Sequence, residues 1–439
     1  MKVFKFGGAS VNSAEAVRNM AHIVQTHLED EPLVVVVSAM GKTTNLLEQL
    51  VPGNGLLDVL PLRQQLEDYH LGIVNSLIPN EEPLVAKVQA LLRELDETIA
   101  SLQPLPEHYN YNYDQVVSYG ELISTTIIAY YLNHLGTNTL WLDARQVVVT
   151  DSHYREGRVD WHESAARWHA ESERWSAGAG APQVILTQGF IAGAKGDDSE
   201  AQYSFFSFHS STTTLGREGS DYSAAIIAYC LGAESVTIWK DVPGFLNADP
   251  KYFPDTLKIN QIPYDEAIEL AYYGASVIHP KTVKPLQNMG IPLYIRSFIT
   301  PESEGSVIGN FHTISPETSL YIFRNNQMLL SIYPRDYSFI AEDNLQTIFG
   351  LLNDLGIRVN MMQNSALSFS ICIDNNPQLV GRLVERLKRM FLVRYNENLQ
   401  LVTIRYYTQA VIDSIVAGRP VLLEQRSRLT EQLVVPCQK

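Results

Sequence analysis

The chain opens with a short apolar segment that leads directly into two glycines. Val3-Phe4 is followed by Lys5, Phe6, Gly7 and Gly8, and apolar residues then recur at helical spacing over 17–28. This order predicts a strand, a tight turn and a helix, as in layered α/β proteins. Glycines let backbone N–H groups approach an anion, and a helix N-terminus adds partial positive charge. Lys5, Gly7 and Gly8 are therefore a candidate phosphate-binding loop, and a purely structural glycine turn is the alternative.

Runs of β-branched residues alternate with amphipathic helical patterns along residues 1–300. The runs read as strands buried on both faces, which is typical of a parallel sheet covered by helices. The sequence thus predicts an α/β fold with a layered, mostly parallel sheet. The predicted buried strands are Leu33–Val37, Thr139–Leu142, Gln183–Leu186 and Ser235–Trp239.

The pattern changes beyond residue 300. Residues 301–319 are rich in proline, glycine, serine and threonine, which predicts a linker. Residues 320–395 follow a βαββα order that predicts a small α+β unit, and residues 396–439 resemble a shorter second copy without the last helix. Its predicted elements are strands Met328–Tyr333, Arg358–Gln363, Leu367–Ile373, Leu399–Ile404, Val421–Gln425 and Glu431–Val435, and helices Leu345–Leu355, Leu379–Met390 and Gln409–Val416.

Composition excludes several classes of protein. The 439 residues include 33 Lys+Arg against 48 Asp+Glu, a net charge of −15, which argues against a nucleic-acid partner. The three cysteines have no metal-ligand or disulfide spacing, which predicts reduced thiols in the cytoplasm. The longest apolar run, Leu33–Val37, is too short to span a membrane, and the N-terminus lacks the apolar region of a signal peptide.

One segment combines hydroxyl groups, glycines and opposite charges. Between Thr212 and Tyr222 the chain carries Arg217, Ser220 and Asp221 just before an apolar helical run. An arginine can hold a carboxylate through two parallel hydrogen bonds, and an aspartate can accept from an ammonium group. The pair therefore fits an amino acid. The alternative is a capped surface turn with an incidental ion pair.

Two further segments carry candidate residues. Glu121 lies in the first turn of a predicted helix, where it can receive an ammonium group or simply complement the helix dipole. The segment Lys240–Pro250 follows a buried strand, at the sheet edge where open α/β sheets bind nucleotides. The Gly-Lys-Thr at 41–43 is not a P-loop, because that motif requires a glycine where Val36 stands.

Together these motifs resemble the aspartate kinases of the amino-acid kinase superfamily. The resemblance covers most of residues 1–300, and the C-terminal repeats look like the tandem ACT domains of that family. Seven motifs occur in the order typical of the family. They are Lys5–Val11, Ser38–Asn45, Val117–Leu122, Thr187–Ile191, Thr212–Tyr222, Asp241–Gly244 with Ala248–Pro250, and Tyr273–Pro280.

The resemblance implies ATP-dependent phosphorylation of the side-chain carboxylate of L-aspartate, with Mg²⁺ carried on the ATP phosphates. It also implies a homodimer joined through the C-terminal repeats. The length of the sequence leaves no room for a fused homoserine dehydrogenase after these repeats. The roles it implies are Lys5, Gly7, Gly8 and Asp221 at the transferring phosphoryl group, Arg217 at the α-carboxylate, Glu121 and Asp221 at the amino group, Ser38, Thr44 and Ser220 at the acceptor carboxylate, and Lys240, Asp241, Leu246, Lys251 and Ser276 near the nucleotide.

Some positions depart from the family pattern. Ser276 replaces a usual lysine or glutamine, Glu218 replaces a common glycine, and the segment 196–211 is longer than usual. Asp343-Asn344 changes the turn of the effector pocket, so we expect a weak response to lysine and threonine. Two alternatives remain: a related kinase acting on glutamate, acetylglutamate or a nucleotide, and a catalytically silent amino-acid sensor.

Overall fold

A computed structural model describes residues 1–53, 59–176, 180–195, 211–253, 255–275, 277–336 and 338–437. The predicted long segment 196–211 therefore falls almost entirely outside the described residues, and so does Ser276. By their internal contacts the described residues form two compact units. The first takes those within 1–245, 258–268 and 277–315, and the second takes those within 246–257, 269–276 and 316–439.

The first unit is built on a mostly parallel sheet, as the sequence predicts. Among the described residues it has eight strands in the order β11-β13-β12-β8-β1-β2-β5-β3, and β13 is antiparallel to β12. Its strands are β1 Lys2–Phe6, β2 Leu33–Val37, β3 Thr139–Leu142, β5 Val184–Gln188, β8 Ser235–Lys240, β11 Gln261–Pro263, β12 Leu293–Ser297 and β13 Ser306–Gly309; shorter strands are β4 Val149–Thr150, β6 Ile191–Ala194, β7 Thr212–Thr214, β9 Phe245–Leu246 and β10 Lys258–Ile259.

Helices connect the strands, and several of them follow one another between β2 and β3. Ser13 caps the first α-helix by accepting from the N–H of Ala16 at 3.2 Å. Within the described ranges no helix combines the length and the apolar character needed to cross a bilayer. The helices up to residue 290 are α1 Ala14–Thr26, α2 Thr43–Gln49, α3 Leu60–Leu77, α4 Glu82–Ser101, α5 Tyr109–Val117, α6 Tyr119–His134, α7 Ala144–Val147, α8 Trp161–Ser176, α9 Gly219–Leu231, α10 Tyr264–Tyr273 and α11 Pro280–Met289, with 3₁₀ turns at Gly8–Val11 and Pro106–His108.

The central strands are buried because helices cover both of their faces. Phe4, Val35 and Leu186 belong to a core cluster that also contains residues of α1, α3, α4 and α6. The residues at the alternating positions of these strands, such as Val34 and Val36, point to the opposite face and are fully buried. On that face α9 contacts β1, β2 and β8. Burial on both faces explains the unbroken apolar runs of these strands.

The sheet brings several predicted segments to one edge. In the parallel register, Lys5 lies between Val36 of β2 and Ile238 of β8, so β1, β2 and β8 end side by side. The following loops are tied together: Ser38 N–H donates to Phe6 O at 3.1 Å, and Gly41 N–H donates to Gly8 O at 3.0 Å. This is the carboxyl edge, where open α/β sheets bind ligands.

Two predictions about the first unit were wrong in part. Strand β3 is an edge strand whose Leu140 and Trp141 are each 37% exposed, because among the described strands it pairs with β5 alone. The predicted linker contains β13, which pairs with β12 and β11. The segment is thus partly sheet, while the domain boundaries themselves remain a prediction.

The second unit contains one antiparallel sheet that serves both repeats. Its order among the described residues is β15-β16-β14-β17-β19-β18. The predicted helices and strands of both repeats are present with small shifts at most ends, but the strands predicted at Met328–Tyr333 and Leu399–Ile404 each begin eight residues earlier. The elements of both repeats are β14 Leu320–Pro334, α12 Glu342–Asp354, β15 Val359–Asn364, β16 Phe369–Asp374, α13 Pro377–Met390, β17 Phe391–Arg405, α14 Gln409–Val416, β18 Leu423–Arg426 and β19 Thr430–Pro436.

The two longest strands explain how the shorter repeat is completed. The first half of β14 pairs with the second half of β17, with Leu320 opposite Arg405 and Ile322 opposite Thr403. The sequence predicts only the second half of β14, at Met328–Tyr333. The first residues of the first repeat therefore supply a strand to the second repeat, which local patterns cannot reveal.

The buried position of Leu186 on β5 gives a stability prediction. Leu186 is 0% exposed between two strands, whereas Leu60 at the start of α3 is 75% exposed. Leu186→Ala should lower the free energy of unfolding by about 2–5 kcal/mol, because it leaves a cavity in a packed core. Leu60→Ala should change it by less than about 0.5 kcal/mol. Urea unfolding measures both variants, and equal effects would contradict the described packing.

Candidate active site

A cavity of about 860 Å³ opens at the carboxyl edge of the first unit's sheet. Most of the site residues predicted from the sequence line it, although they come from distant parts of the chain. The predicted residues in its wall are Lys5, Gly8, Ser38, Thr44, Glu121, Arg217, Ser220, Asp221 and Lys240.

An ion cluster lies in the wall of this cavity. The carboxylate of Asp221, in the first turn of α9, is 2.6 Å from Lys5 Nζ through Oδ1 and 3.2 Å from Lys240 Nζ through Oδ2. Lys240 also donates to the carbonyl of Val277 at 2.5 Å. One carboxylate therefore holds two ammonium groups from the neighbouring strands β1 and β8 in a single place.

The electrostatics of Asp221 follow from its position. Its side chain is only 3% exposed, and burial alone would raise its pKa. The nearby ammonium groups of Lys5 and Lys240 outweigh burial and hold the pKa of Asp221 below its ordinary value. Asp221 is therefore ionised near neutral pH, and both of its oxygens face lysines.

Glu121 is a second buried carboxylate in the cavity wall. Its Oε1 accepts from the N–H of Ala39 at 3.1 Å, and its Oε2 has no hydrogen-bond partner among the described residues. Burial raises the pKa of Glu121 to about 8, although the Ala39 N–H and the charge of Lys5 act in the opposite direction. A ligand that donates a hydrogen bond or carries positive charge would satisfy the free oxygen.

Close backbone packing shapes the cavity. A Cβ on Gly8 would lie 2.8 Å from the carbonyl oxygen of Gly41, and one on Gly120 would lie 2.9 Å from Cβ of Ala39. A Cβ on Gly189 would lie 2.6 Å from Cβ of Ser220. Glycine is required at these positions because any side chain would push the loops apart.

The cavity wall also contains residues that the sequence did not predict. The guanidinium of Arg155 lies 4.2 Å from the ring centroid of Tyr113, and one of its nitrogens is 3.9 Å from a carboxylate oxygen of Glu48. Arg155 and Tyr113 both line the cavity. They lie in a polar loop and a Tyr/Asn-rich helix without fixed motif spacing, so no local signal marks them.

Asp114 positions this additional wall. It accepts from the N–H of Arg155 at 2.8 Å, from the N–H of Thr214 at 2.9 Å and from the Thr214 hydroxyl at 2.7 Å. Burial raises the pKa of Asp114 to about 6, against the effect of these hydrogen bonds. Asp114 thereby joins the loop of Arg155 to β7, which leads to Arg217.

The remaining predicted residues lie outside this wall. Gly7 is next to it, since a Cβ there would be 3.3 Å from Lys5 Nζ. Asp241 is exposed directly after Lys240 and does not line the cavity. Leu246 and Lys251 belong to the second unit. Ser276 lies outside the described residues.

Comparison with known proteins gives the family. The chain matches the model of the amino acid kinase family over residues 1–297, and it belongs to that family. Aspartokinase 1, chloroplastic, of Arabidopsis thaliana is 30% identical over 89% of this chain and 68% of the relative. Lysine-sensitive aspartokinase 3 of Escherichia coli (strain K12) is 30% identical over 92% of this chain and 86% of the relative.

A solved structure agrees with this assignment. The crystal structure of E. coli aspartokinase III in complex with aspartate and ADP is similar with a TM-score of 0.78 and 26% identity, over 99% of this chain and 96% of that one. Within the amino acid kinase family the chain is therefore an aspartokinase, as its motifs predict.

Burial of Glu121 predicts a pH dependence of stability. Its pKa rises from 4.5 to about 8 on folding, so the folded state binds its proton more tightly than the unfolded state does. The contribution of the protonated group to stability is complete below pH 4.5 and is lost as pH rises towards about 8. Wild type should therefore lose stability relative to Glu121→Gln by about 1 kcal/mol or more over this range. Urea unfolding of both proteins at several pH values measures this, and a constant difference would contradict the prediction.

Proposed function

We propose that the chain transfers the γ-phosphoryl group of ATP to the side-chain carboxylate of L-aspartate, giving 4-phospho-L-aspartate. The observation that carries the proposal is one cavity that contains the Lys5–Asp221–Lys240 ion cluster and an oxygen of Glu121 without a hydrogen-bond partner among the described residues. Two ammonium groups suit a transferring phosphoryl group, and a buried carboxylate suits the ammonium group of an amino acid. The product is a precursor for lysine, threonine and methionine.

The chemistry needs little beyond alignment of the two reactants. A carboxylate acceptor is already ionised near neutral pH, so no general base is required. The two reactants are anions and repel each other, so catalysis depends on positioning and on neutralising charge that develops in the transition state. Fixed lysines in a partly buried cavity serve both purposes.

Lys5 and Lys240 contact the phosphoryl group in this proposal. The carboxylate of Asp221 forms ion pairs with both ammonium groups and offsets their mutual repulsion. Gly7 and Gly8 supply backbone N–H groups to the same oxygens. With both oxygens of Asp221 engaged by lysines, we assign Asp221 to positioning the lysines rather than to the substrate amino group.

Five other residues act on aspartate. Arg217 holds the α-carboxylate through its planar guanidinium, and the free oxygen of Glu121 accepts from the amino group. Ser38 and Ser220, together with Thr44, face the acceptor carboxylate from the loops after β2, the start of α9 and the start of α2. An ammonium group beside Glu121 would also favour its ionised form.

The nucleotide assignments extend the same proposal. E. coli aspartokinase III has been solved with ADP, and ATP is the expected phosphoryl donor here. The family resemblance alone supports the assignment of four further residues to the nucleotide, namely Asp241, Leu246, Lys251 and Ser276. Mg²⁺ on the phosphates would neutralise part of their charge and keep several waters. The proposal of a bound cation is supported by the buried oxygens of Glu121 and Glu218, which have no hydrogen-bond partner among the described residues.

The direct test is an aspartate hydroxamate assay on the purified full chain. An acyl phosphate reacts with hydroxylamine, so ATP- and aspartate-dependent hydroxamate is the expected product. Glutamate, acetylglutamate and nucleoside monophosphates in place of aspartate test the related kinases. Absence of turnover with every acceptor, together with aspartate binding, would favour the silent sensor.

Lys5→Ala should abolish most of the turnover while leaving a folded protein. The loss of an ammonium group at the transition state should raise the barrier by about 3 kcal/mol or more, roughly a hundredfold in rate. Lys2→Ala is the matched control on the same strand, because Lys2 pairs with Glu29 away from the cavity. Steady-state hydroxamate rates compare the two, and near-normal turnover of folded Lys5→Ala would exclude the assigned contact.

Arg217→Lys should raise the KM for aspartate by about tenfold or more and leave the KM for ATP nearly unchanged, because an ammonium group cannot reproduce two parallel hydrogen bonds. Arg158→Lys, on an exposed residue outside the cavity wall, is the control. A parallel rise of both KM values would instead assign Arg217 to the nucleotide or the fold.

We also propose that the chain is a cytoplasmic homodimer joined through the C-terminal repeats. The sequence-based reason was wrong: Leu401, Val402 and Ile404 are at most 2% exposed, because they pack in two apolar clusters of this sheet. Support comes instead from the edge of the first repeat. Met362 on edge strand β15 is 52% exposed and Leu367 is 53% exposed. An unpaired edge with apolar side chains is suited to pairing with a second copy.

Light scattering should therefore give the mass of a dimer for wild type and a lower mass for Met362→Lys. A monomeric wild type would contradict the dimer.

The turn at Asp343-Asn344 lies in the first turn of α12, where Asn344 accepts from the N–H of Ala341 at 3.0 Å. With this altered turn we expect lysine and threonine to inhibit weakly. An inhibition titration measures this, and strong inhibition by either amino acid would contradict the expected weak response.

A further inference from the structure

Glu218 has an unusual backbone conformation at the cavity. It precedes α9 with φ +53° and ψ 30°, in the left-handed region where glycine is free of strain and other residues are not. Its carbonyl accepts from the N–H groups of Asp221 and Tyr222, so this conformation starts the helix that carries Asp221. Strained residues persist where the surrounding structure fixes them, and they concentrate at functional sites.

The side chain of Glu218 lines the same cavity as the ion cluster. Its Oε2 is buried and has no hydrogen-bond partner in the described part of the chain. A buried carboxylate oxygen without a partner is unfavourable, because it has lost its hydration without compensation. At one position the chain therefore has both a strained backbone and a buried carboxylate oxygen without a hydrogen-bond partner among the described residues. A ligand that binds there can satisfy this oxygen.

The charges around Glu218 indicate which ligand fits. Burial raises the pKa of Glu218, and among the surrounding charges that of Lys240 acts on it most strongly; Asp221 opposes Lys240, and Arg217 and Lys5 have smaller effects. Glu218 thus lies on the side of the cavity marked by Lys240. If ATP phosphates bind at the lysines, this carboxylate repels them unless a cation lies between.

We propose that Glu218 is a carboxylate ligand, direct or through one water, of the divalent cation that enters with the nucleotide. The inference rests on the proposed kinase function, since the nucleotide brings the cation. Mg²⁺ typically takes one or two carboxylates and completes its shell with phosphate oxygens and water. Among the described residues no three His, Cys, Asp or Glu side chains are arranged to hold a metal, so the phosphates must supply further ligands.

The test measures cation binding rather than turnover. Mn²⁺ replaces Mg²⁺ as a paramagnetic probe, and the full chain is titrated with Mn²⁺ in the presence and absence of ADP, with bound Mn²⁺ followed by electron paramagnetic resonance. Glu218→Gln should weaken Mn²⁺ binding in the presence of ADP by about tenfold or more. Glu156→Gln is the control, because Glu156 is an exposed carboxylate of the same cavity, and it should bind Mn²⁺ as wild type does.

Glu218→Gly separates a ligand from a structural residue. Glycine removes both the strain at φ +53° and the buried carboxylate, so the unliganded variant should melt at or above the temperature of wild type while Mn²⁺ binding with ADP falls as in Glu218→Gln. A lower melting temperature with unchanged Mn²⁺ binding would make Glu218 structural and overturn the inference.

The remaining outcomes are also decisive. If Glu218→Gln leaves the Mn²⁺ affinity unchanged and weakens aspartate binding, Glu218 contacts the amino acid rather than the cation. This result would overturn the inference. A wild-type protein that binds ADP but retains no Mn²⁺ beyond free ADP would overturn this inference and leave the proposed function standing. Failure of wild type to bind ADP at all would overturn both.

Discussion

The buried pairing of Asp221 with Lys5 and Lys240 is the interaction on which the site depends. Two ammonium groups on adjacent strands repel each other, and both are largely removed from water. One carboxylate from α9 makes their proximity possible, so β1, β8 and α9 must keep a fixed geometry. Removal of one partner from a buried ion pair typically costs about 3–5 kcal/mol. The two ammonium groups are therefore held in position before an anion binds. They do not have to be reorganised during the reaction.

Glycine packing brings the remaining groups to this ion cluster. Gly8 lets the first loop approach the carbonyls of Ala39 and Gly41, while Gly120 lets α6 approach Ala39. The second contact also sets the position of Glu121, which accepts from the N–H of Ala39. The glycines of these motifs thus do more than expose backbone N–H groups to a ligand. They fix the distance between two loops and a helix, and this distance determines where the buried carboxylate stands.

Sequence patterns predicted the α/β class, most strands and the site residues that lie in motifs, since these depend on local chemistry. Long-range pairing limited the rest. Strand β3 has an apolar sequence, but its place at the sheet edge depends on which strand lies beside β5. The pairing of Leu320 with Arg405 joins residues far apart in the chain. Arg155 enters the cavity wall because Asp114 holds its backbone N–H, and no spacing rule marks such a contact.

The net charge of the whole chain is negative, whereas the described cavity wall carries as many Lys and Arg side chains as acidic ones. A net charge of −15 repels nucleotide and aspartate at long range. At physiological ionic strength, however, charges are screened within about 8 Å, so distant carboxylates contribute little inside the cavity. In the proposed reaction, capture of the two anions would depend on Lys5, Lys240 and Arg217 at contact distance. The buried carboxylates nearby limit how much positive charge these residues present, and this leaves a place for a cation that arrives with the nucleotide.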